Sequence, residues 1–236
     1  MPALKGTSSV FATVTGSSGL NALTFDKAGN VYISDSFQGI IWRTGPTGGA
    51  ATVWAQDPLL TTIGVPPFGA NGIEFNNERT ILYVANTGND QIIQIPVTNG
   101  QSNNPIAGKA SVLVNSINGA DGIVIDAHDN IWVAANQADE IVVIDKTGKV
   151  IAKLGDFNGV DEDGVPHGLL FPASPAFSPD GKTIYVTNLA LDLRLATGSP
   201  AFQTVDSQWA DLVRRYTVSK LRAVIPPLPG GEGDQD

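Results

Sequence analysis

The sequence predicts an all-β fold, and within that class a β-propeller, from two observations. A hairpin-like pattern occurs four times, in which two apolar strands flank a turn rich in Asp, Asn, Gly and Lys. The pattern recurs about every 50 residues, and two further strand-like runs fit between successive hairpins. Four-stranded units of this length without helical periodicity are typical of propeller blades.

Each hairpin, with the runs that follow it, is interpreted as one blade. The hairpins are GLNALTFDKAGNVYISD (19–35), GANGIEFNNERTILYVAN (69–86), GADGIVIDAHDNIWVAAN (119–136) and PASPAFSPDGKTIYVTN (172–188). We expect one domain over residues 1–225, with repeats near 19–68, 69–118, 119–171 and 172–225. Residues 1–18 are interpreted as the remnant strand of a preceding blade, so that about four and a half blades are visible, and 226–236 as a Pro/Gly-rich acidic tail.

Composition limits the classes of function. The 236 residues carry 14 basic and 23 acidic side chains, a net charge of −9, which argues against a nucleic-acid partner. The chain has no cysteine, which excludes disulfides, thiolate metal sites and thiol nucleophiles. No stretch is apolar enough to span a bilayer or to act as a secretory signal. We therefore expect no membrane partner, and cytoplasmic and exported locations both stay open.

The residues that open the first strand of each unit are the candidate site. In a propeller the innermost strands line the central channel and run in the same direction, so their first residues converge at one mouth. Asn21, Asn71 and Asp121 hold this position at intervals of 50 residues, with Ser174 or a near neighbour in the fourth unit. Amide and carboxylate oxygens gathered in a ring are ligands for a hard cation. The sequence therefore predicts a divalent-cation site at Asn21, Asn71 and Asp121.

Two groups of polar residues have an alternative interpretation. Asn71 precedes a glycine, and an Asn-Gly pair can be a hairpin turn, although the turn of this unit is expected five residues later. A second group ends the second strand of each hairpin and is interpreted as bonding to the loop backbone, with support of a metal ligand as the alternative. Its members are Asp35, Asn86, Asn136 and Asn188.

The two histidines receive different interpretations. His167 lies in the connection into the last inner strand, on the mouth side, and is a candidate catalytic residue. It would act as a proton shuttle or contact the substrate, because histidine titrates near neutral pH. A structural or solvent-exposed role is the alternative. His128 lies in a hairpin turn and is interpreted as a surface residue.

At these segments the chain resembles the senescence-marker-protein/gluconolactonase/luciferin-regenerating-enzyme-like family and the related calcium-dependent phosphotriesterases. The resemblance is carried by NGIEF…ILYVAN, DGIVID…IWVAAN and SPAFSPDGKTIYVTN, and it extends from about residue 19 to about residue 190. It implies a six-bladed propeller with one divalent cation at a channel mouth, calcium first, with zinc, magnesium and manganese as alternatives. The family holds its metal with Glu, Asn, Asn and Asp, of which the last three match Asn21, Asn71 and Asp121.

The family's glutamate ligand has no counterpart in this sequence, because only 20 residues precede Asn21. Three explanations stay open: an N-terminally shortened form, a propeller with fewer blades, or an oligomer that completes the ring. An open ring would leave strand edges unpaired, which makes self-association through these edges possible.

The resemblance implies a hydrolase that opens a lactone or a related ester with metal-activated water, provided that the ring and the metal site are complete. Asp121 would act as general base or nucleophile, and phosphotriesters are chemically related substrates. The alternative is a non-catalytic propeller of the NHL/YVTN type that binds a ligand or a protein. The string YVTN at 185–188 is shared with such repeats.

Overall fold

The structure is a computed structural model that describes residues 6–102 and 104–223. Its first sheet, blade 1, has the strand order β2-β3-β4-β6 and is antiparallel. A short pair of strands, β1 and β5, runs parallel beside it. The elements of this part are β1 (Ala12–Thr13), β2 (Leu20–Phe25), β3 (Val31–Asp35), β4 (Ile40–Thr44), β5 (Gly49–Ala50) and β6 (Thr52–Gln56).

Blades 2 and 3 follow the same plan. Blade 2 has the order β7-β8-β9-β11, and β10 pairs with the far end of β9. Its strands are β7 (Ala70–Phe75), β8 (Ile81–Asn86), β9 (Gln91–Thr98), β10 (Ile106–Ala107) and β11 (Ser111–Asn115). Blade 3 has the order β12-β13-β14-β15. Its strands are β12 (Ala120–Ile125), β13 (Ile131–Ala135), β14 (Glu140–Ile144) and β15 (Val150–Leu154).

Blade 4 differs from the others because helices interrupt it. A separate hairpin of β16 (Phe157–Val160) and β17 (Pro166–Gly168) precedes the sheet β18-β19-β20. Two short helices lie between its second and third strands. The elements are β18 (Pro172–Phe177), β19 (Thr183–Asn188), α1 (Leu193–Thr197), α2 (Val205–Ala210) and β20 (Val218–Arg222). Helix α2 overlaps DSQWADLVRRYTVSKL (206–221), the stretch of the sequence that could host a helical turn, whereas no sequence pattern predicted α1.

Apolar side chains between neighbouring blades form the core. The inner strands pack side by side in the order β2, β7, β12, β18. Tyr32 of blade 1 packs against Phe75 of blade 2 with ring centroids 5.0 Å apart, and Trp132 of blade 3 packs against Phe177 of blade 4 at 5.3 Å. The predicted all-β propeller is therefore confirmed. The tail expected at 226–236 lies outside the described residues.

One residue position recurs in every blade and shows where blades meet. Tyr32, Tyr83, Trp132 and Tyr185 hold equivalent positions in the second strands, and the first three pack against the following blade. The first three are at most 2% exposed, whereas Tyr185 is 42% exposed, because no blade of the described chain follows blade 4. Across 6–102 and 104–223, no helix has the length and hydropathy needed to cross a membrane.

Candidate functional site

A cavity of about 420 Å³, here called the mouth cavity, lies where the inner strands begin. Blades 1 to 3 supply most of its polar lining, and blade 4 and the loops supply an apolar wall. The polar side chains are those of Asn21, Asn71, Thr87, Asp121, Asn136 and Ser174. The apolar ones are those of Pro66, Phe68, Phe171, Ala173, Leu189 and Leu191. The three predicted cation ligands thus line one cavity, and their role as ligands stays a prediction.

An irregularity at the mouth end of each inner strand positions the opening residue. The strand pairing shifts between Ala70 and Ile73 in blade 2, and at the equivalent place in the other three blades. Such a bulge re-aims a side chain. In blade 4 the pairing makes Ala173 the equivalent of Asn71, so Ser174 takes the position of Gly72. Blade 4 therefore carries the methyl group of Ala173 at the opening position, where we expected a polar side chain.

Glycine next to the opening residue lets the inner strands approach each other. A Cβ atom on Gly72 would lie 2.2 Å from the carbonyl oxygen of Asp121, and one on Gly122 would lie 2.5 Å from that of Ala173. Asn71 and Gly72 both belong to strand β7. The Asn-Gly pair is consequently part of a strand and not a turn, and its glycine is required by close backbone contact.

The two asparagines of the ring share one hydrogen-bond arrangement. Asn71 Nδ2 donates to Thr87 Oγ1 at 2.9 Å, and Thr87 Oγ1 donates to the carbonyl oxygen of Ala120 at 2.7 Å. Asn21 Nδ2 donates to Ser36 Oγ at 3.3 Å, and this hydroxyl donates to the neighbouring blade in the same way. No group within the described ranges donates to the Oδ1 atom of Asn21 or Asn71, so both amide oxygens are available to a ligand.

Asp121 is the carboxylate of the mouth cavity. Its Oδ2 accepts a hydrogen bond from Asn136 Nδ2 at 3.2 Å. Burial raises the pKa of Asp121 to about 7, against the opposing effect of hydrogen bonds from Asn136 and Asn71. The side chain keeps some contact with solvent through the cavity although protein surrounds it on most sides. Near neutral pH the group can therefore both accept and release a proton.

Asn136 is a site residue that the sequence interpretation placed in the wrong group. Strand pairing makes Ala135 the equivalent of Asp35 and Asn86, so Asn136 is equivalent to Ser36 and Thr87. Asn136 is 2% exposed, and its Oδ1 is buried without a hydrogen-bond partner among the residues that the structure describes. A comparison of the residue that follows the second strand in each of the first three repeats would have identified Ser36, Thr87 and Asn136 as equivalent.

The other members of the expected backbone-binding group behave as the sequence indicated. Asp35 Oδ1 accepts from the backbone nitrogen of Gly19 at 3.0 Å. Asn86 Nδ2 donates to the carbonyl oxygen of Thr61 at 2.8 Å. Asn188 Oδ1 likewise accepts from a backbone nitrogen in the connection that precedes blade 4. These side chains hold the loops that frame the mouth cavity.

His167 lies outside the lining of the mouth cavity. Its imidazole Nε2 is 3.2 Å from Asp161 Oδ2, and both side chains are exposed on the hairpin formed by β16 and β17. The structure therefore does not bring His167 together with Asp121. A catalytic role for His167 stays a prediction. His128 is exposed in a hairpin turn, as expected for a surface residue.

The donor set at the mouth fits a hard divalent cation. Its groups are two amide oxygens and one carboxylate, which calcium and magnesium prefer, whereas zinc favours nitrogen and sulfur ligands. Within the described ranges no three His, Cys, Asp or Glu side chains cluster to hold a metal. Asp121 is thus the carboxylate among the three predicted ligands.

Known proteins are similar to this chain in sequence or in fold. The lactonase drp35 of Staphylococcus aureus is 27% identical over 186 residues, which cover 76% of this chain and 53% of the lactonase. A luciferin-regenerating enzyme superposes with a TM-score of 0.56 at 18% identity, covering 85% of this chain and 60% of that one. Regucalcin from Agrobacterium tumefaciens superposes with a TM-score of 0.51 at 22% identity, covering 76% and 57%. At these identities the two superpositions establish the fold alone.

The chain spans about half the length of the staphylococcal lactonase that it matches. The sequence model of the protein family described as the SMP-30/gluconolactonase/LRE-like region matches residues 4–155, which is more than half of the chain. That match includes blades 1 to 3 and all three predicted cation ligands. The chain therefore belongs to the SMP-30/gluconolactonase/LRE-like family.

Proposed function

We propose that the mouth cavity is the active site of a lactonase-type hydrolase, which opens a lactone or a related ester by adding water. The observation that carries this proposal is the position of Asp121. This carboxylate, with a pKa raised to about 7, lies among amide and hydroxyl groups and faces an apolar wall. Family membership and the similarity to a staphylococcal lactonase support the substrate class.

We further propose that one divalent cation takes part, held by Asn21, Asn71 and Asp121. The oxygen donors favour calcium, with magnesium, manganese and zinc as alternatives. The regucalcin of similar fold is a calcium-binding protein, which supports the same choice. When bound, such a cation polarises the carbonyl bond of the substrate.

Asp121 has the properties of a general base for this reaction. The carboxylate takes a proton from the attacking water, the water oxygen bonds to the lactone carbonyl carbon, and the ring C–O bond breaks. The proton then passes to the alkoxide oxygen, which leaves a hydroxy acid as the product. Direct nucleophilic attack by Asp121 is the alternative. Asn136 holds the carboxylate in either case, because its Nδ2 donates to Oδ2 at 3.2 Å.

The apolar wall indicates which part of a substrate lies opposite the polar groups. Phe68, Phe171 and Leu189 belong to this wall and contact hydrocarbon in a substrate whose carbonyl faces Asp121. A volume of about 420 Å³ falls within the usual range for small-molecule sites. Lactones with a small ring and a short apolar substituent match this division. Phosphotriesters present a P=O bond that can be polarised in the same way.

One observation favours a second candidate, a non-catalytic propeller that binds a ligand or a protein. Among the described residues that line the mouth cavity, Asp121 is the one carboxylate. A site with one carboxylate offsets the charge of a divalent cation less completely, and weak cation binding would leave the chain without catalytic power.

Lactone hydrolysis with and without a chelator separates the two candidates. Purified protein is assayed on a panel of γ- and δ-lactones by the acid that ring opening releases. We expect turnover that the chelator abolishes and that added calcium restores, and we expect Asp121→Asn to lose it. Turnover that resists the chelator would count against the cation. Absent turnover on the whole panel in the presence of calcium would favour the binding module.

A further inference from the structure

The residues that follow the second strand in blades 1 to 3 form a second tier behind the opening residues of the mouth cavity. In blades 1 and 2 this residue is a hydroxyl, Ser36 or Thr87. Each hydroxyl accepts from the amide of its own blade's opening residue and donates to a backbone carbonyl of the next blade. The same arrangement thus occurs twice, 51 residues apart in the sequence.

This arrangement determines which end of each amide faces the cavity. A hydroxyl has one hydrogen, and at Thr87 that hydrogen is directed to the carbonyl oxygen of Ala120 at 2.7 Å. Thr87 can then only accept from Asn71, so Asn71 must present its Nδ2 to Thr87 and its Oδ1 to the cavity. The second tier therefore directs the amide nitrogen of each opening asparagine toward the hydroxyl and its amide oxygen toward the cavity.

Blade 3 reverses the polarity of the pair. Its opening residue, Asp121, accepts hydrogen bonds when ionised, and its second-tier residue, Asn136, donates one. A hydroxyl at position 136 that donated to the next blade, as Thr87 does, would have no hydrogen left for Asp121. The fold makes room for the amide at Gly119, where a Cβ atom would lie 1.8 Å from Asn136 Oδ1.

We propose that Ser36, Thr87 and Asn136 are positioning residues, which set the cation affinity of the ring by matching a hydroxyl to each amide and an amide to the carboxylate. The cation part rests on the proposed function, whereas the matched pairing does not. Partners of this kind change metal affinity by about 10- to 100-fold in other proteins.

Calcium titration by calorimetry on the full chain tests the affinity claim. We expect Thr87→Val to raise the Kd for calcium by about tenfold or more, because it keeps the side-chain shape but removes the hydroxyl that accepts from Asn71. Thr87→Ser restores the hydroxyl and should stay within about threefold of the wild type. Thr44→Val is the matched control, because Thr44 is 5% exposed, lies outside the mouth cavity and bonds through its hydroxyl to no described residue. Equal affinities for Thr87→Val and the wild type would refute the claim.

A cation-free comparison tests the pairing itself. In urea unfolding with a chelator, Asn136→Thr should lower the midpoint in the wild-type background, because Asp121 loses the hydrogen bond from Asn136. The same change in an Asp121→Asn background should raise the midpoint, because it recreates the amide–hydroxyl pair of Asn71 and Thr87. Additive effects would overturn the pairing. Wild-type protein that binds no calcium would refute the cation role in the proposed function, and the urea comparison would still decide the pairing.

Discussion

Asn71 and Asp121 are separated by 50 residues in the sequence, yet they lie on adjacent inner strands and line the same cavity. The two residues come together because the fold repeats. Each one opens the first strand of its own blade at the same pairing irregularity. The radial arrangement of blades brings equivalent positions together at the channel mouth. One carboxylate and its amide neighbours thereby form the polar side of a cavity whose other side is apolar.

The buried carboxylate predicts a pH dependence of stability in the cation-free protein. The pKa of Asp121 is raised to about 7 by burial, above the value of an unfolded chain, so the folded state binds the proton more tightly. Folding stability should therefore fall as the pH rises from about 4 to about 7, by at most about 4 kcal/mol, and stay level above that range. Urea unfolding in a chelator at pH 5 and pH 8 measures this change.

Asp121→Asn is the comparison for the pH dependence. The variant lacks the titrating group, so its stability relative to the wild type should improve between pH 5 and pH 8. Asp145→Asn serves as a control whose stability relative to the wild type should stay constant between pH 5 and pH 8, because a hydrogen bond from the Thr147 side chain helps to lower the pKa of Asp145 and its titration therefore lies below this range. Parallel pH profiles for the wild type and Asp121→Asn would show that Asp121 is not the buried titrating group.

The close approach of the inner strands predicts a large cost for a methyl group at Gly72. A Cβ atom there would lie 2.2 Å from the backbone carbonyl oxygen of Asp121, which cannot move without moving strand β12. We expect Gly72→Ala to lower the free energy of unfolding by about 2–4 kcal/mol. Gly45→Ala is the matched control, because no described residue other than its two chain neighbours comes within 4 Å of the added methyl group, and it should change stability by less than about 0.5 kcal/mol. Equal effects of the two changes in urea unfolding would contradict this packing.

The equivalent aromatic residues of blades 3 and 4 predict unequal contributions to stability. Trp132 is 2% exposed and donates from Nε1 to Asp126 Oδ2 at 3.0 Å, whereas Tyr185 is 42% exposed. We expect Trp132→Ala to cost about 3–5 kcal/mol and Tyr185→Ala less than about 1 kcal/mol, by chemical unfolding. A cost for Tyr185→Ala that matches the Trp132 value and rises with protein concentration would mean that another copy covers blade 4.

The strands and the repeat could be predicted from the sequence because both are local patterns. Alternating apolar residues predicted the hairpin at 69–86, and its spacing from the hairpin at 119–136 predicted that Asn71 and Asp121 occupy equivalent positions. Pairing register was not accessible in the same way, since it depends on a bulge that involves two strands at once. For this reason the fourth opening residue was predicted only as Ser174 or a near neighbour, and it is Ala173. Asn136 was assigned one position too early.

The position of His167 shows a different limit of sequence interpretation. The segment before blade 4 was expected to reach the mouth, but residues 157–168 form a separate hairpin on which His167 pairs with Asp161. Such a hairpin is an insertion into the repeat, and a repeat pattern carries no information about where an insertion folds. The apolar wall at Phe68, Phe171 and Leu189 was missed for the same reason, because connections between the strands, and not the strands themselves, supply most of it.

Equilibrium dialysis of calcium against the wild type, Asn71→Leu and Asp121→Asn tests most directly whether two side chains so distant in sequence share one ion. The account predicts one calcium bound per wild-type chain and a large loss of affinity in both variants, with circular dichroism confirming that each variant remains folded. Calcium that binds all three proteins equally well would contradict it.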